Sequence, residues 1–145
     1  GLAGARVGYA LGEQDLIGQF EKILNHFGMN RAAQSAAEAA LNDQAWLLSV
    51  RDKVEASKQE IARIADENGL STVESATNFM AIDCGRDGVF AQAVLAHLVQ
   101  AGLFVRMPFV APQNRCIRVS AGRSEDMDLL RRALPKALAA AASAG

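Results

Sequence analysis

The segment that decides the fold is Cys116-Ile-Arg-Val-Ser120, a short run in which apolar and polar side chains alternate. Successive side chains of a β-strand point to opposite faces of its sheet. If Ile117 and Val119 point into a core, Arg118 lies on the opposite face between two small side chains, a cysteine and a serine. The segment is therefore predicted to be a strand that buries one face and carries an arginine on the other.

Further strands and helices are predicted around this segment. Residues 103–106 and residues 78–83 are two more strand candidates, and the first of them could pair antiparallel with Cys116–Ser120. Asp87 can cap a helix between the strands, and Ser124 can cap a last helix. Strands that are flanked by helices in this way indicate the α/β class, with a small sheet covered by helices on one face.

The first half of the chain predicts one strand followed by helices. Residues 6–11 alternate in the manner of a strand, and residues 13–27 place apolar side chains at helical spacing. A second, alanine-rich helix is predicted for residues 31–41. An amphipathic stripe then runs through residues 43–68 and ends at an Asn-Gly pair, which predicts the longest helix of the chain.

Size, charge and hydropathy exclude several classes of protein. The 145 residues are 50% hydrophobic and 21% charged, which is enough to bury one core. The formal net charge is -1 with acids and bases mixed, whereas binding to a nucleic-acid backbone requires a basic surface. Charged residues interrupt the longest apolar runs well before membrane-spanning length. We therefore expect no nucleic-acid partner, no membrane segment and a cytoplasmic protein.

Cysteine and histidine positions predict neither a metal site nor a disulfide framework. Cys84 and Cys116 lie far apart in the sequence without a CxxC pair, and His26 and His97 have no metal-ligand spacing. We expect no bound metal and a reducing compartment.

Three arginines are candidates for anion binding, because each lies within or beside a predicted strand of apolar or small residues: Arg6, Arg106 and Arg118. A guanidinium is a planar fork that matches a carboxylate or a phosphate through two hydrogen bonds. Other roles are open for each of them. Arg118 could be salt-bridged to an acid, Arg6 could be a surface residue of an edge strand, and Arg106 could extend from a strand end to water.

Five segments carry a family resemblance, in order along the chain: Gly1-Leu-Ala-Gly-Ala-Arg-Val-Gly-Tyr9, Asn30-Arg-Ala-Ala-Gln-Ser-Ala-Ala-Glu-Ala-Ala-Leu41, Ala76-Thr-Asn-Phe79, Gly102-Leu-Phe-Val-Arg106 and Cys116-Ile-Arg-Val-Ser-Ala-Gly122. The first resembles the segment that follows the cofactor lysine in fold-type-I pyridoxal-phosphate enzymes. The others resemble the next helix, the entry to the small-domain sheet and the final strand pair. The closest resemblance is to the histidinol-phosphate aminotransferase-like branch of the class I/II aminotransferases.

The resemblance implies a role for each arginine and a division of the chain. Arg6 would bind the phosphate of pyridoxal 5'-phosphate. Arg118 would bind the substrate's carboxylate, or its phosphate if the substrate is histidinol phosphate, and Arg106 would be a second anion contact. The fold would be the small-domain α/β sandwich of a fold-type-I aminotransferase plus the end of its large domain. Residues 1–42 would end the large domain, 43–68 would form a connecting helix, and 69–145 would form the small domain.

The resemblance also implies catalytic groups that this sequence does not contain. In the family, a lysine just upstream of the equivalent of Gly1 forms the Schiff base with the cofactor and shuttles a proton. The first lysine of this chain is Lys22, inside a predicted helix. No catalytic residue is therefore assigned here, and the Schiff-base lysine is expected N-terminal to Gly1. By itself the chain is expected to be inactive.

The function implied by the resemblance is that of a homodimeric aminotransferase. It would move an amino group between an amino acid, or an amino-phosphate such as histidinol phosphate, and a 2-oxo acid. Two alternatives stay open: a decarboxylase or lyase of the same family, and a non-catalytic α/β module that binds a small anion or a partner protein.

Overall fold

The computed structural model describes residues 1–143. Residues 144 and 145, the end of the predicted small domain, lie outside the described residues. The chain forms two compact units, Gly1–Ser49 and Val50–Gly145, called here the N-terminal and the C-terminal unit. The boundary falls within helix α3 (Gln44–Glu67), which is the long helix predicted from the amphipathic stripe. The division into large domain, connecting helix and small domain stays a prediction.

Two helices precede α3 in the N-terminal unit, α1 (Gln14–Glu21) and α2 (Arg31–Asn42). The prediction for α2 is confirmed, whereas α1 is shorter than the helix predicted for residues 13–27. Beyond α1, the side-chain oxygen of Asn25 accepts a hydrogen bond from the amide of Phe27 at 3.0 Å. Such local side-chain bonds compete with helical backbone bonds and are consistent with the absence of helix at residues 25–27.

The strand predicted for residues 6–11 is wrong. Ala3–Ala5 form one turn of 3-10 helix, and Arg6 follows with a left-handed backbone, φ 56°. Residues 7–13 have no regular secondary structure. A strand needs a neighbour for its backbone N–H and C=O groups, and residues 1–49, all of which the structure describes, contain no strand that could serve as one.

The C-terminal unit contains an antiparallel sheet in the order β1-β2-β3, formed by Ser71–Val73, Phe79–Asp83 and Cys116–Ser120. Strands β2 and β3 confirm the predictions for residues 78–83 and 116–120. Strand β1 was not predicted, because three residues are too few to establish an alternating pattern. These three residues form a strand because they pair with β2.

Two helices complete the C-terminal unit, α4 (Gly88–Gln100) and α5 (Ser124–Ser143). Asp87 caps α4 as predicted, since its carboxylate accepts a hydrogen bond from the amide three residues on at 2.9 Å. The prediction that Ser124 caps α5 is wrong by one residue. The carbonyl of Arg123 accepts the first helical bond, and the amide of Arg123 donates to the carboxylate of Asp126 in the first turn.

The hydrophobic core lies on one face of the sheet, between the strands and the three helices α3, α4 and α5. Its buried side chains come from β2, β3 and the three helices, and include Ile61, Ile64 and Ala65; Met80, Ile82, Ile117 and Val119; Ala91, Val94 and Leu98; Leu130, Ala133, Leu134 and Ala137. This arrangement confirms the predicted α/β class with helices on one face. Within residues 1–143, no helix combines the length and the apolar content needed to cross a membrane.

Helices α3 and α4 both end at a glycine with a left-handed backbone, Gly69 with φ 69° and Gly102 with φ 87°. The next residues, Leu70 and Leu103, each donate their amide to the carbonyl five residues earlier, at 3.0 and 2.9 Å. Glycine adopts this conformation without the steric cost of a Cβ atom. The turn directs both leucines onto the core.

Candidate functional site

Arg118 lies on the face of the sheet that is turned away from the core. Its neighbours Ile117 and Val119 point into the core, with 0% and 4% of their surfaces exposed, and Arg118 itself is half-buried. In the ladder between β2 and β3, Arg118 lies opposite Ala81. The methyl group of alanine leaves space beside the guanidinium, so the strand presents the arginine as the alternating sequence predicted.

Arg106 is paired with Arg118 along the edge of β3 that faces away from β2. The two residues exchange backbone hydrogen bonds, from the Arg106 amide to the Arg118 carbonyl at 3.2 Å and from the Arg118 amide to the Arg106 carbonyl at 2.6 Å. The strand predicted for residues 103–106 is therefore reduced to this one antiparallel bridge. Residues that lie opposite each other in such a ladder project their side chains from the same face. The Arg106 and Arg118 side chains therefore extend from paired backbone positions on the same face of the sheet.

No carboxylate neutralises this arginine pair within the part of the chain that the structure describes. The ion pairs formed by residues 1–143 use other cations. Asp83, an acid on the same face of β2, is bonded at 2.8 Å to Arg115 and also accepts the amide of Gly85. The salt-bridged alternative for Arg118 is thereby excluded for the described residues. Like charges that lie opposite each other in a sheet are destabilising, and a bound anion would offset this effect.

Aromatic rings lie beside both guanidinium groups. The Cζ atom of Arg118 lies 4.6 Å from the centre of the Phe79 ring, and that of Arg106 lies 5.9 Å from the centre of the Phe104 ring. Sequence reasoning missed both phenylalanines. For Phe79, the signal that could have revealed it is the register of β2 against β3, which the single sequence does not show.

Arg6 lies in the N-terminal unit, on a turn and not on the predicted edge strand. Its side chain is exposed, and one guanidinium nitrogen donates to the carbonyl of Ala3 at 3.0 Å. The side chain lines a cleft together with Glu21, His26 and Gln34, among others, yet forms no ion pair within residues 1–143. Several of its N–H donors are therefore available. A guanidinium with free donors can form charge-assisted hydrogen bonds to a phosphate group.

The two cysteines are unsuited to nucleophilic chemistry. Both are buried free thiols. Burial raises the pKa of the Cys84 thiol to about 11. Burial and the nearby carboxylate of Asp83 also raise the pKa of Cys116. A thiol reacts as its thiolate, so neither side chain is an activated nucleophile near neutral pH.

Comparisons with known proteins all indicate the same family. The family model for aminotransferases of class I and II matches residues 1–134. The histidinol-phosphate aminotransferase of Bacillus pumilus is 37% identical over 125 residues, which are 86% of this chain and 33% of that protein. Histidinol-phosphate aminotransferase 2 of Caulobacter vibrioides is 34% identical over 139 residues, which are 95% of this chain and 35% of that protein.

A solved structure supports the same family. The crystal structure of histidinol-phosphate aminotransferase from Sinorhizobium meliloti, in complex with pyridoxal-5'-phosphate, matches with a TM-score of 0.91 and 50% sequence identity. The match covers 96% of this chain and 38% of that one. The chain therefore spans between 33% and 38% of the length of these relatives.

Proposed function

This chain belongs to the aminotransferases of class I and II, and from that premise we propose that the protein containing it is a pyridoxal-phosphate-dependent aminotransferase. It transfers an amino group between an amino acid, or an amino-phosphate such as histidinol phosphate, and a 2-oxo acid. The observation that carries the proposal is the pair of arginines at bridged backbone positions, Arg106 and Arg118, whose side chains have no carboxylate partner within residues 1–143. Both kinds of substrate are anions that such a pair can bind.

Arg118 is proposed to hold the substrate's carboxylate through the two parallel N–H donors of its guanidinium. Its position on the central part of β3 fixes the backbone from which the side chain extends, because β2 pairs with it on one side and Arg106 on the other. Arg106 is proposed as the second anion contact. It is exposed, so it adds charge to the site and bears less on the orientation of the substrate.

Arg6 is proposed to bind the phosphate of pyridoxal 5'-phosphate. When bound, the cofactor supplies the electron sink that makes the substrate's α-proton acidic. The role of Arg6 is to anchor the phosphate end, since its guanidinium keeps donors free beyond the bond to Ala3. The tight turn that holds it, with its left-handed backbone, directs the side chain from a fixed point.

The lysine that holds the cofactor and moves the proton is proposed to lie N-terminal to Gly1, as the family resemblance implies. Lys22, the first lysine of this chain, follows α1 and donates to the side chain of Gln19. It is exposed on a surface turn.

The N-terminal unit supports a larger assembly. Of residues 1–49, all of which the structure describes, Ala33 is the one buried residue. Large apolar side chains lie exposed on this unit, among them Tyr9, Leu11, Ile23 and Phe27. Exposed apolar surface of this extent is typical of an interface. We propose that residues 1–42 end the large domain of a cytoplasmic homodimer, that residues 43–68 form the connecting helix, and that residues 69–145 form the small domain.

Replacement of Arg6 by alanine is expected to weaken binding of pyridoxal phosphate by about 10- to 100-fold, since hydrogen bonds to a charged group contribute roughly 1.5–3 kcal/mol. Titration of the cofactor followed by its absorbance measures the dissociation constant. The matched control is Arg31→Ala, at an exposed arginine of the same unit. Equal affinities of the Arg6 variant and the wild type would contradict the assignment.

The proposed function is tested by two measurements on the protein that contains this chain. After borohydride reduction, mass spectrometry is expected to find a pyridoxyl group on a lysine N-terminal to Gly1. With amino donor and 2-oxo acid present, the 2-oxo acid is expected to be consumed without release of carbon dioxide. Carbon dioxide release would show a decarboxylase, and a protein that takes up no cofactor would contradict the enzyme proposal as a whole.

A further inference from the structure

Phe79 belongs to the same face of the sheet as Arg118. In the ladder between β2 and β3, Phe79 lies opposite Ser120 and Ala81 lies opposite Arg118. Phe79 and Arg118 are therefore diagonal neighbours, a separation that an aromatic ring and a long side chain can bridge. They do so here, with the guanidinium carbon 4.6 Å from the ring centre.

The position of Phe79 is fixed by the start of β2. The hydroxyl oxygen of Thr77 lies 3.3 Å from both the amide nitrogen and the carbonyl oxygen of Phe79. The preceding carbonyl, that of Asn78, accepts the amide of Ala121 at 2.8 Å. Backbone bonds on both sides thus hold the residue that carries the ring.

A ring contact leaves the N–H donors of a guanidinium available, whereas a salt bridge uses them. Cation–π attraction uses the flat face of a guanidinium, whereas its N–H donors lie in its plane and point outward. A carboxylate in the place of Phe79 would occupy those donors. The phenyl ring contacts the Arg118 guanidinium without accepting its N–H hydrogen bonds, so those donors stay available for an incoming anion.

We propose that Phe79 is a positioning residue for substrate binding, which holds the Arg118 guanidinium by ring contact in the orientation that receives the substrate's anionic group. The inference rests on the proposed function, in which Arg118 binds that group. An arginine ordered before binding loses less side-chain freedom when the anion arrives. Phe79 thus acts through Arg118 and does not take part in the chemistry.

The test compares Phe79→Leu with Phe79→Tyr in the cofactor-loaded protein that contains this chain. Loss of the ring is expected to raise the KM for the amino donor about 3- to 10-fold and to leave kcat within about 2-fold, because the ring contact supports binding and not the chemical step. Tyrosine, which keeps the ring, is expected to restore the KM. The dissociation constant of inorganic phosphate, measured by calorimetry, is expected to follow the KM.

The matched control is Phe90→Leu. The ring of Phe90 lies 4.5 Å from the guanidinium carbon of Arg86, and Phe90 is half-buried like Phe79. Its replacement removes an equivalent ring contact elsewhere in the same unit. Because Phe90 also packs against the core, we expect a loss of thermal stability at least as large as that of Phe79→Leu, with no change in the KM or in phosphate affinity.

Arg118→Ala distinguishes the possible failures, because it removes the cation that the ring contacts. If Phe79→Leu raises the KM equally in the wild-type and the Arg118→Ala background, or if Phe90→Leu raises it as much, Phe79 has a general structural role and the inference is wrong. If phosphate affinity depends on Phe79 and Arg118 in a protein that does not transaminate, the proposed function fails and the ring still positions an anion-binding arginine. If neither phosphate affinity nor KM depends on Arg118, both fail.

Discussion

Replacement of Arg118 by alanine is expected to raise the KM for the amino donor by roughly 100-fold, with a much smaller effect on kcat. Arg118 is half-buried, lies beside Arg106, and has no carboxylate partner within residues 1–143. Removal of one partner from a close, partly desolvated ion pair costs about 2–5 kcal/mol, because the other charge is left without its hydrogen bonds. Steady-state kinetics with varied amino donor measures the effect.

Two further variants make this prediction specific. Arg118→Lys keeps the charge and loses the planar fork, so we expect an intermediate rise of about 10-fold. Arg132→Ala removes an exposed arginine of α5 in the same unit and is expected to leave the KM unchanged. A KM within about 3-fold of wild type in the Arg118→Ala variant would mean that the substrate's anion is bound elsewhere.

Replacement of Ile82 by alanine is expected to lower the free energy of unfolding of the C-terminal unit by about 2–5 kcal/mol. Ile82 is 0% exposed, lies in the central strand β2, and packs in the core formed with α3, α4 and α5. The loss combines the transfer free energy of the removed methyl and methylene groups with the cost of the cavity left behind. Urea denaturation and hydrogen exchange of the β2 amides measure it.

Val73→Ala provides the control for this substitution. Val73 lies on β1 of the same sheet and is 55% exposed, so its truncation is expected to change the unfolding free energy by less than about 0.5 kcal/mol. Ile82→Val removes a single methylene group and is expected to cost about 0.5–1.5 kcal/mol. Equal effects of the alanine substitutions at residues 82 and 73 would show that the core does not lie on the assigned face.

Sequence patterns predicted the helices and strands that are determined by residues close together in the sequence. Alternation within Cys116–Ser120 predicted which side chains are buried and which face carries Arg118. The carboxylate of Asp87 predicted where α4 begins, because a capping bond joins residues three apart. The spacing of apolar residues also predicted α3. Each of these signals lies within one continuous segment of the sequence.

Contacts between distant segments decided the remaining features. β1 is a strand because β2 pairs with it, and residues 6–11 are not a strand because no partner lies within residues 1–49, which the structure describes in full. The possible pairing of residues 103–106 with β3 was predicted, but contacts between the segments decided that it is a single bridge between Arg106 and Arg118. Contacts also decided that Arg6 lies on a turn of the N-terminal unit and not on a strand.

The sequence by itself determined the α/β class, the family and the arginine that faces away from the core, since these follow from local periodicity and from motifs. The tertiary structure decided the register that places Phe79 against Arg118, and the bridge that brings Arg106 beside it. It also decided that Asp83 bonds to Arg115 and leaves Arg118 without a carboxylate partner in the described chain. The physical reason is that the register of the backbone hydrogen bonds between strands determines which distant residues become neighbours, and this register cannot be read from a single sequence.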